Sequence, residues 1–243
     1  MHIENANLPK RKVLVALISS GVENIRAGLF DLGITAIEVK PSSKLQKPVS
    51  AHADMLMHHI GGKKIFLAKE QDYLYNELKK IGFLPEYIEE DLDENYPFDI
   101  ALNALRIGDK LFCKAGYTAK GIKENIKVID ISQGYAKCST CIISEKAIIT
   151  ADLNIANAAR QNGIDVLVIS SGGIKLSGYD YGFIGGCCGL IDKNTLLFTG
   201  DISRLADYQN IVTFTQKHQV IMKCLQGELV DIGGIIPLVE ENS

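Results

Sequence analysis

The sequence has no tryptophan and only six prolines, and it has no apolar run long enough to cross a bilayer. The missing tryptophan excludes nothing. The missing run does exclude something, because a spanning helix needs about 18 or more apolar residues in succession. A basic excess is absent too: 26 Lys and Arg stand against 29 Asp and Glu, for a net charge of −3. A nucleic-acid footprint needs a basic face, so neither nucleic acid nor membrane is an expected partner. The short basic runs Lys10-Arg11-Lys12, Lys63-Lys64 and Lys79-Lys80 read as solvated element ends. Residues 1–11 are polar and lack an apolar h-region, so no signal peptide is expected. A cytoplasmic location follows, with the six cysteines as reduced thiols. No Gly-x-Gly-x-x-Gly turn opens a helix, and no phosphate-binding Gly-x-x-x-x-Gly-Lys-Ser/Thr is present. A nucleotide-binding reading therefore has no motif behind it, and no cofactor is expected.

Apolar residues make up 47% of the chain, enough for a substantial core. Within them a unit recurs. A polar turn introduces a short apolar strand at Gly62 to Leu67, Gly108 to Phe112, Ser144 to Ile149 and Asp192 to Phe198. Another strand precedes each turn, so each pair reads as a hairpin. Helical stretches follow at Glu70 to Ile81, Ala119 to Ile126, Asp152 to Gln161 and Ile202 to Gln216. Asp152 suits an N-cap, and Gly82 and Gly163 suit left-handed stops. A second apolar strand closes each unit. The result is four β-β-α-β units, over about 47–91, 96–132, 134–171 and 178–224.

The fifth unit is split between the termini, over 227–238 plus 12–41. Val13 to Ile18 forms a strand without a hairpin partner, and Glu228 to Ile232 is the predicted missing partner. Pairing the two closes a ring and hides its open edges. The expected architecture is a single α/β domain over 12–238, a five-fold pseudosymmetric propeller. The alternative is an open α/β sheet with right-handed crossovers.

Five β-β-α-β units with the last shared between the termini resemble the pentein fold, also called the guanidino-group-modifying enzyme fold. The segment Gly178 to Gly189 (Gly-Tyr-Asp-Tyr-Gly-Phe-Ile-Gly-Gly-Cys-Cys-Gly) also resembles an uncharacterised bacterial branch of it. The resemblance implies a Cys nucleophile attacking a guanidinium carbon, a His general acid/base, and carboxylates that grip the guanidinium. It equally allows a non-catalytic binding protein, since other pentein-fold members bind ribosomal partners. The two implied functions are a Cys-dependent hydrolase or transferase of a small guanidino or amidino compound, and a binding module.

Ala51-His52-Ala53-Asp54 is expected to open the first hairpin strand, where positions two apart face one side. His52 and Asp54 are thus the candidate His-x-Asp element. Cys187 and Cys188 follow Gly185-Gly186, and glycine permits close backbone approach. Either could be the nucleophile, with Cys188 preferred; the bland reading makes both small core residues. Cys138-Ser139-Thr140-Cys141 invites a redox or zinc reading. Strand placement sends its thiols to opposite faces, so no metal is expected. Asn103, Ser139 and Asp180, the last flanked by Tyr179 and Tyr181, are candidate substrate-binding residues. Cys113 and Cys224 read as core, His58 and His59 as surface, His2 and His218 as terminal and helix-end residues, and Asp201 as a helix cap. No Arg-Asp element and no Glu-Gly-Gly-Asp is found; Ser171-Gly172-Gly173-Ile174 lacks both carboxylates.

Overall fold

The computed structural model describes residues 1–242. It opens with β1 (Val13–Ser19), α1 (Glu23–Asp31) and β2 (Thr35–Val39). A short helix, α2 (Ala53–Leu56), leads into β3 (Met57–Gly61), β4 (Lys64–Leu67), α3 (Asp72–Lys80) and β5 (Leu84–Tyr87). Then come β6 (Leu105–Ile107), β7 (Lys110–Cys113) and β8 (Lys127–Asp130). The third hairpin is β9 (Thr140–Ser144) and β10 (Ala147–Thr150), followed by α4 (Leu153–Gln161) and β11 (Asp165–Val168). The fourth is β12 (Cys188–Asp192) and β13 (Thr195–Phe198), followed by α5 (Tyr208–Lys217) and β14 (Ile221–Cys224). The last strand is β15 (Ile236–Glu240).

These strands make five separate three-stranded sheets. In each, the middle strand runs antiparallel to its hairpin partner and parallel to the strand after the crossover. The middle strands explain the most legible part of the sequence. Covered on both faces along most of their length, they are mainly apolar; β10 (Ala-Ile-Ile-Thr) and β13 (Thr-Leu-Leu-Phe) are buried at every position. The crossover strands β5, β8 and β14 are peripheral and largely solvated. Asp152 caps α4, accepting the Ile155 amide at 2.8 Å. Gly82 and Gly163 follow their helices with φ of 86° and 77°, the left-handed stop expected of them.

Several expectations are corrected. Ring closure occurs, but through β15 rather than 228–232: Val13 faces Glu240 and Leu17 faces Ile236. Residues 228–231 make only isolated bridges, Val230 to Lys175 and Glu228 to Asp201. Gly233 and Gly234, with φ of 72° and 89°, turn the chain between that segment and the true strand. The helix expected over 119–126 is a single 3-10 turn, Gly121–Lys123; Gly121 packs so closely on the Phe66 ring that a Cβ would overlap it. The last helix starts only at Tyr208. Asp201 therefore caps a turn, accepting the Ser203 amide and hydroxyl at 2.9 Å each. His58 and His59 are buried on β3, not exposed. Cys224 is exposed at the end of β14. No helix among the described residues is long and apolar enough to cross a membrane.

Candidate active site

Each unit places a turn immediately before the first strand of its hairpin, and these turns meet at the centre of the ring. Five residues ahead of β3, β6, β9, β12 and β15 stand His52, Ile100, Tyr135, Phe183 and Asp231. Four of these five line one cleft of about 270 Å³. Two residues ahead of the same strands stand Met55, Asn103, Cys138, Gly186 and Gly234. The pseudosymmetry thus converts five positions far apart in sequence into one shell of side chains.

Cys138 lies in the tight turn Ala136 to Ser139, closed by Ser139 N–H donating to Tyr135 O at 2.9 Å. Asn103 fixes that turn from the neighbouring unit. Its Oδ1 accepts the Lys137 and Cys138 amides at 2.9 and 3.3 Å, and its Nδ2 donates to Cys138 Sγ at 3.0 Å and Met55 Sδ at 3.2 Å. The thiol in turn donates to Asp54 Oδ2 at 2.9 Å. His52 caps α2 and Asp54 lies in its first turn. The pair therefore comes together through a helical turn and not through strand alternation.

His52, Asp54 and Cys138 each offer a donor atom, and these atoms lie within 4.8 Å of one another. Such a set could hold a metal ion as well as a polar ligand. His52 Nδ1 is also 3.7 Å from Asp231 Oδ1. Asp231 is positioned by its own unit and the next: Gly233 N–H donates to Oδ1 at 3.0 Å and Phe183 N–H to Oδ2 at 2.8 Å. His52 Nδ1 and Asp54 Oδ1 are buried without a hydrogen-bond partner. An unpaired buried polar atom is costly. Asp54 Oδ1 is poised for a ligand that donates to it or binds as a cation, and His52 Nδ1 can donate or accept according to its tautomer.

Burial dominates the electrostatics. It pushes the Asp54 carboxyl up to about 6, against the opposing pull of Lys137, His52 and the Cys138 thiol. Burial also raises the Cys138 thiol well above its ordinary value, and the negative charges of Asp54 and Asp231 add to this. The resting thiol is protonated, the opposite of the depressed value expected of a reactive cysteine. Lys137 is buried beneath the turn, with Nζ donating to Gly185 O at 3.3 Å.

Of the residues singled out in the sequence, His52 and Asp54 are brought together here, and Asp180 lines the cleft rim with Tyr179 and Tyr181. Asn103 is buried behind the site and clamps Cys138. Ser139 lines an adjacent cavity of about 120 Å³. Cys187 and Cys188 lie in an apolar layer with Cys141, both thiols donating to Ile184 O at 3.2 Å. The thiol beside His52 and Asp54 is Cys138. Gly185 and Gly186 do permit a close approach, but the group that approaches Gly186 is the Asp231 carboxylate. Asp231, Tyr135 and Phe183 carry no site role in the sequence, and Cys138 carries only the redox or zinc reading of its Cys-x-x-Cys. Aligning the units on the turn before each hairpin, instead of on the apolar middle strands, puts Asp231 in register with His52.

Five repeated units that direct their pre-hairpin turns into one axial site make this chain a protein of the pentein, or guanidino-group-modifying, fold. Within that fold it belongs to the family DUF6873, a family of unknown function whose model matches residues 17–236. Among curated proteins, none matches it by sequence. Solved structures share its fold at remote sequence identity. The inosamine-phosphate amidinotransferase of Streptomyces griseus is 10% identical with a TM-score of 0.63, over 99% of this chain and 97% of that one. The DDAH of Pseudomonas aeruginosa, solved with citrulline, is 10% identical with a TM-score of 0.55, over 89% and 92%. The putative arginine deiminase of Porphyromonas gingivalis is 11% identical with a TM-score of 0.51, over 97% and 98%.

Proposed function

We propose that this chain is a Cys-dependent hydrolase or transferase acting on a small guanidino or amidino compound, with Cys138 as the nucleophile. The observation that carries the reading is the convergence of Cys138, His52 and Asp54 within 4.8 Å, beside a second buried carboxylate, Asp231. A planar amidinium has N–H groups that carboxylates can grip in pairs. Asp54 and Asp231 fill that role, and the unpartnered Asp54 Oδ1 gains a donor. The bound cation offsets the two negative charges that raise the thiol, so ligand binding itself favours the thiolate. With Asp54 engaged by the amidinium, the thiol proton passes to His52, whose ring nitrogen lies within 4.8 Å of the sulfur. Sulfur then attacks the amidino carbon, an S–C bond forms, and the C–N bond to the leaving amine breaks. His52 supplies the proton the amine needs to depart. Water or an acceptor amine then displaces Cys138 and releases the product.

The test compares two alkylating agents of the same size and different charge. Chloroacetamidine is cationic and chloroacetamide is neutral; each forms an S–C bond and releases chloride. Chloroacetamidine is expected to label Cys138 at least tenfold faster, and Cys138→Ala should abolish that labelling while Cys188→Ala leaves it unchanged. Equal rates for the two reagents, or labelling at Cys188, would refute the assignment. A second reading, a metal centre on the same three donors, predicts instead one equivalent of bound zinc that Cys138→Ala releases.

A further inference from the structure

The amidino reading leaves the rest of the substrate open, and the outer part of the cleft constrains it. Moving outward from Asp231 and Cys138, the wall is formed by Tyr135, Phe183, Tyr181 and Tyr179. Tyr135 and Phe183 have ring centroids 6.1 Å apart and inclined at 32°; Phe183 and Tyr181 are 6.5 Å apart and near perpendicular, at 85°. The hydroxyls of Tyr135 and Tyr179 are engaged elsewhere. Tyr135 Oη donates to Asp99 at 2.6 Å and Tyr179 Oη to Gln46 Oε1 at 2.7 Å. Those two residues and Phe183 offer the cleft aromatic ring. Tyr179 and Tyr181 are 45% and 41% exposed, so the rim presents uncovered aromatic surface beside the opening.

The charge of the lining is one-sided. Asp231 lies at its base and Asp180 at its rim, and no Lys or Arg is among the lining residues. The buried ammonium of Lys137 acts on Asp54 without lining this cleft: its Nζ donates to Gly185 O and it borders a different, much smaller cavity. A substrate carboxylate bound here would meet aromatic rings and a like charge with no Lys or Arg in the lining to pair with, and an unpaired charge in a partly desolvated site is costly. A cation with a flat apolar body meets ring faces and carboxylates, both of which attract it.

We infer that the substrate is an amidino or guanidino compound that carries no carboxylate, with a planar or apolar substituent held between Tyr179, Tyr181 and Phe183, and so is not a free α-amino acid. This rests on the amidino reading and narrows it. The test is isothermal titration calorimetry of the whole chain with three probes: benzamidine, arginine methyl ester and arginine. The last two differ only in whether the carboxylate is free. Benzamidine and the ester should each bind at least tenfold tighter than arginine. Tyr181→Ala, at an exposed position, should weaken benzamidine binding about threefold to tenfold, in line with the loss of one aromatic contact. Asp180→Asn should narrow the gap between ester and acid. If arginine binds as tightly as its methyl ester, the inference falls while the amidino reading survives. If none of the three binds, the amidino reading itself fails, and the inference with it.

Discussion

Asp54 accepts the Cys138 thiol proton at 2.9 Å, deep enough that burial pushes the carboxyl up to about 6. A raised carboxyl destabilises the folded protein. Between its ordinary 3.8 and about 6, the folded form holds a proton that the unfolded chain has released, so stability falls as pH rises through that window and stays lower above it. A displacement of that size corresponds to about 3 kcal/mol. Asp54→Asn is therefore expected to raise stability by up to about 3 kcal/mol at pH 7.5 and to have little effect at pH 4, measured by urea unfolding. The same variant should lose chloroacetamidine labelling of Cys138. Lower stability at pH 7.5 would show that the site is not strained by this carboxylate.

His58 and His59 act in the opposite sense. Both imidazoles are buried and point one nitrogen at a carbonyl. His58 Nδ1 is 3.1 Å from Leu102 O, and His59 Nε2 is 3.0 Å from Gly62 O, so each of these nitrogens carries the proton. Burial lowers His58 to about 3 and His59 to about 4, with the Arg106 cation contributing to both. Below their ordinary 6.5 the unfolded chain takes up protons that the folded one refuses, so stability rises with pH from about 4 to 6.5 and is lost as pH falls through that window. Two such histidines outweigh the single opposing carboxylate. Unfolding free energy should therefore decrease on acidification below pH 6.5, and His58→Gln should flatten the slope. A flat profile from pH 7 to 4.5 would contradict the neutral, buried assignment.

The fold was readable where local and global demands coincide. The middle strands are apolar at nearly every position because both faces are covered, and nothing else in the chain looks like them. The fifth unit was harder. Leu229-Val230-Asp231-Ile232 and Ile236–Glu240 are both apolar enough to be the closing strand, and the choice between them is made by pairing with β1, a contact across the whole chain. The site was readable as residue types but not as geometry. His52 and Asp54 meet through a helical turn, whereas strand alternation was the reason to pair them. Cys138 and Cys141 were read along one strand, yet Cys138 sits in the turn that precedes β9 and Cys141 within it. That break turns one thiol to the axis and leaves the other in the apolar layer. Asp231 was hidden by the misplaced fifth strand.

The fit of Gly186 against Asp231 gives a sharper test of that carboxylate. Gly186 O accepts the Ile232 and Gly234 amides at 2.8 Å each, and a Cβ on Gly186 would overlap Asp231 Oδ1. The backbone there cannot retreat without breaking both bonds, so the carboxylate must move. Gly186→Ala is expected to cost about 1–3 kcal/mol, as overpacking does, and to slow chloroacetamidine labelling of Cys138 at least tenfold. Gly116→Ala is the control: no atom lies within 4 Å of the added methyl, and it should stay within about 0.5 kcal/mol of the parent. Wild-type labelling in Gly186→Ala would remove Asp231 from the reacting set.

Closure of the ring makes the last prediction. Glu240 is 2% exposed at the end of β15, opposite Val13. Its Oε2 accepts the Lys10 and Arg11 amides at 2.6 and 2.9 Å. The side chain therefore ties the segment before β1 to the strand that completes its sheet. A hydrogen bond to a charged group is worth about 1.5–3 kcal/mol, and the two amides, on an exposed and a half-buried residue, can turn to water when it is lost. Glu240→Ala removes the one acceptor of both bonds and should cost about 2–4 kcal/mol. Glu240→Gln keeps one neutral oxygen at the same place and should cost about half of that. The loss should also be local before it is global. With the clasp weakened, β15 separates from β1 more often than the other sheets open, because no covalent turn joins these two strands. Hydrogen exchange should then show reduced protection for the amides of Val13 to Leu17 in Glu240→Ala, with β10 and β13 unchanged, as expected for a sub-global opening. Equal loss of protection in all five sheets would mean that the ring unfolds as one unit and that the clasp has no separate opening. A stability change under about 0.5 kcal/mol would mean that Glu240 does not hold it.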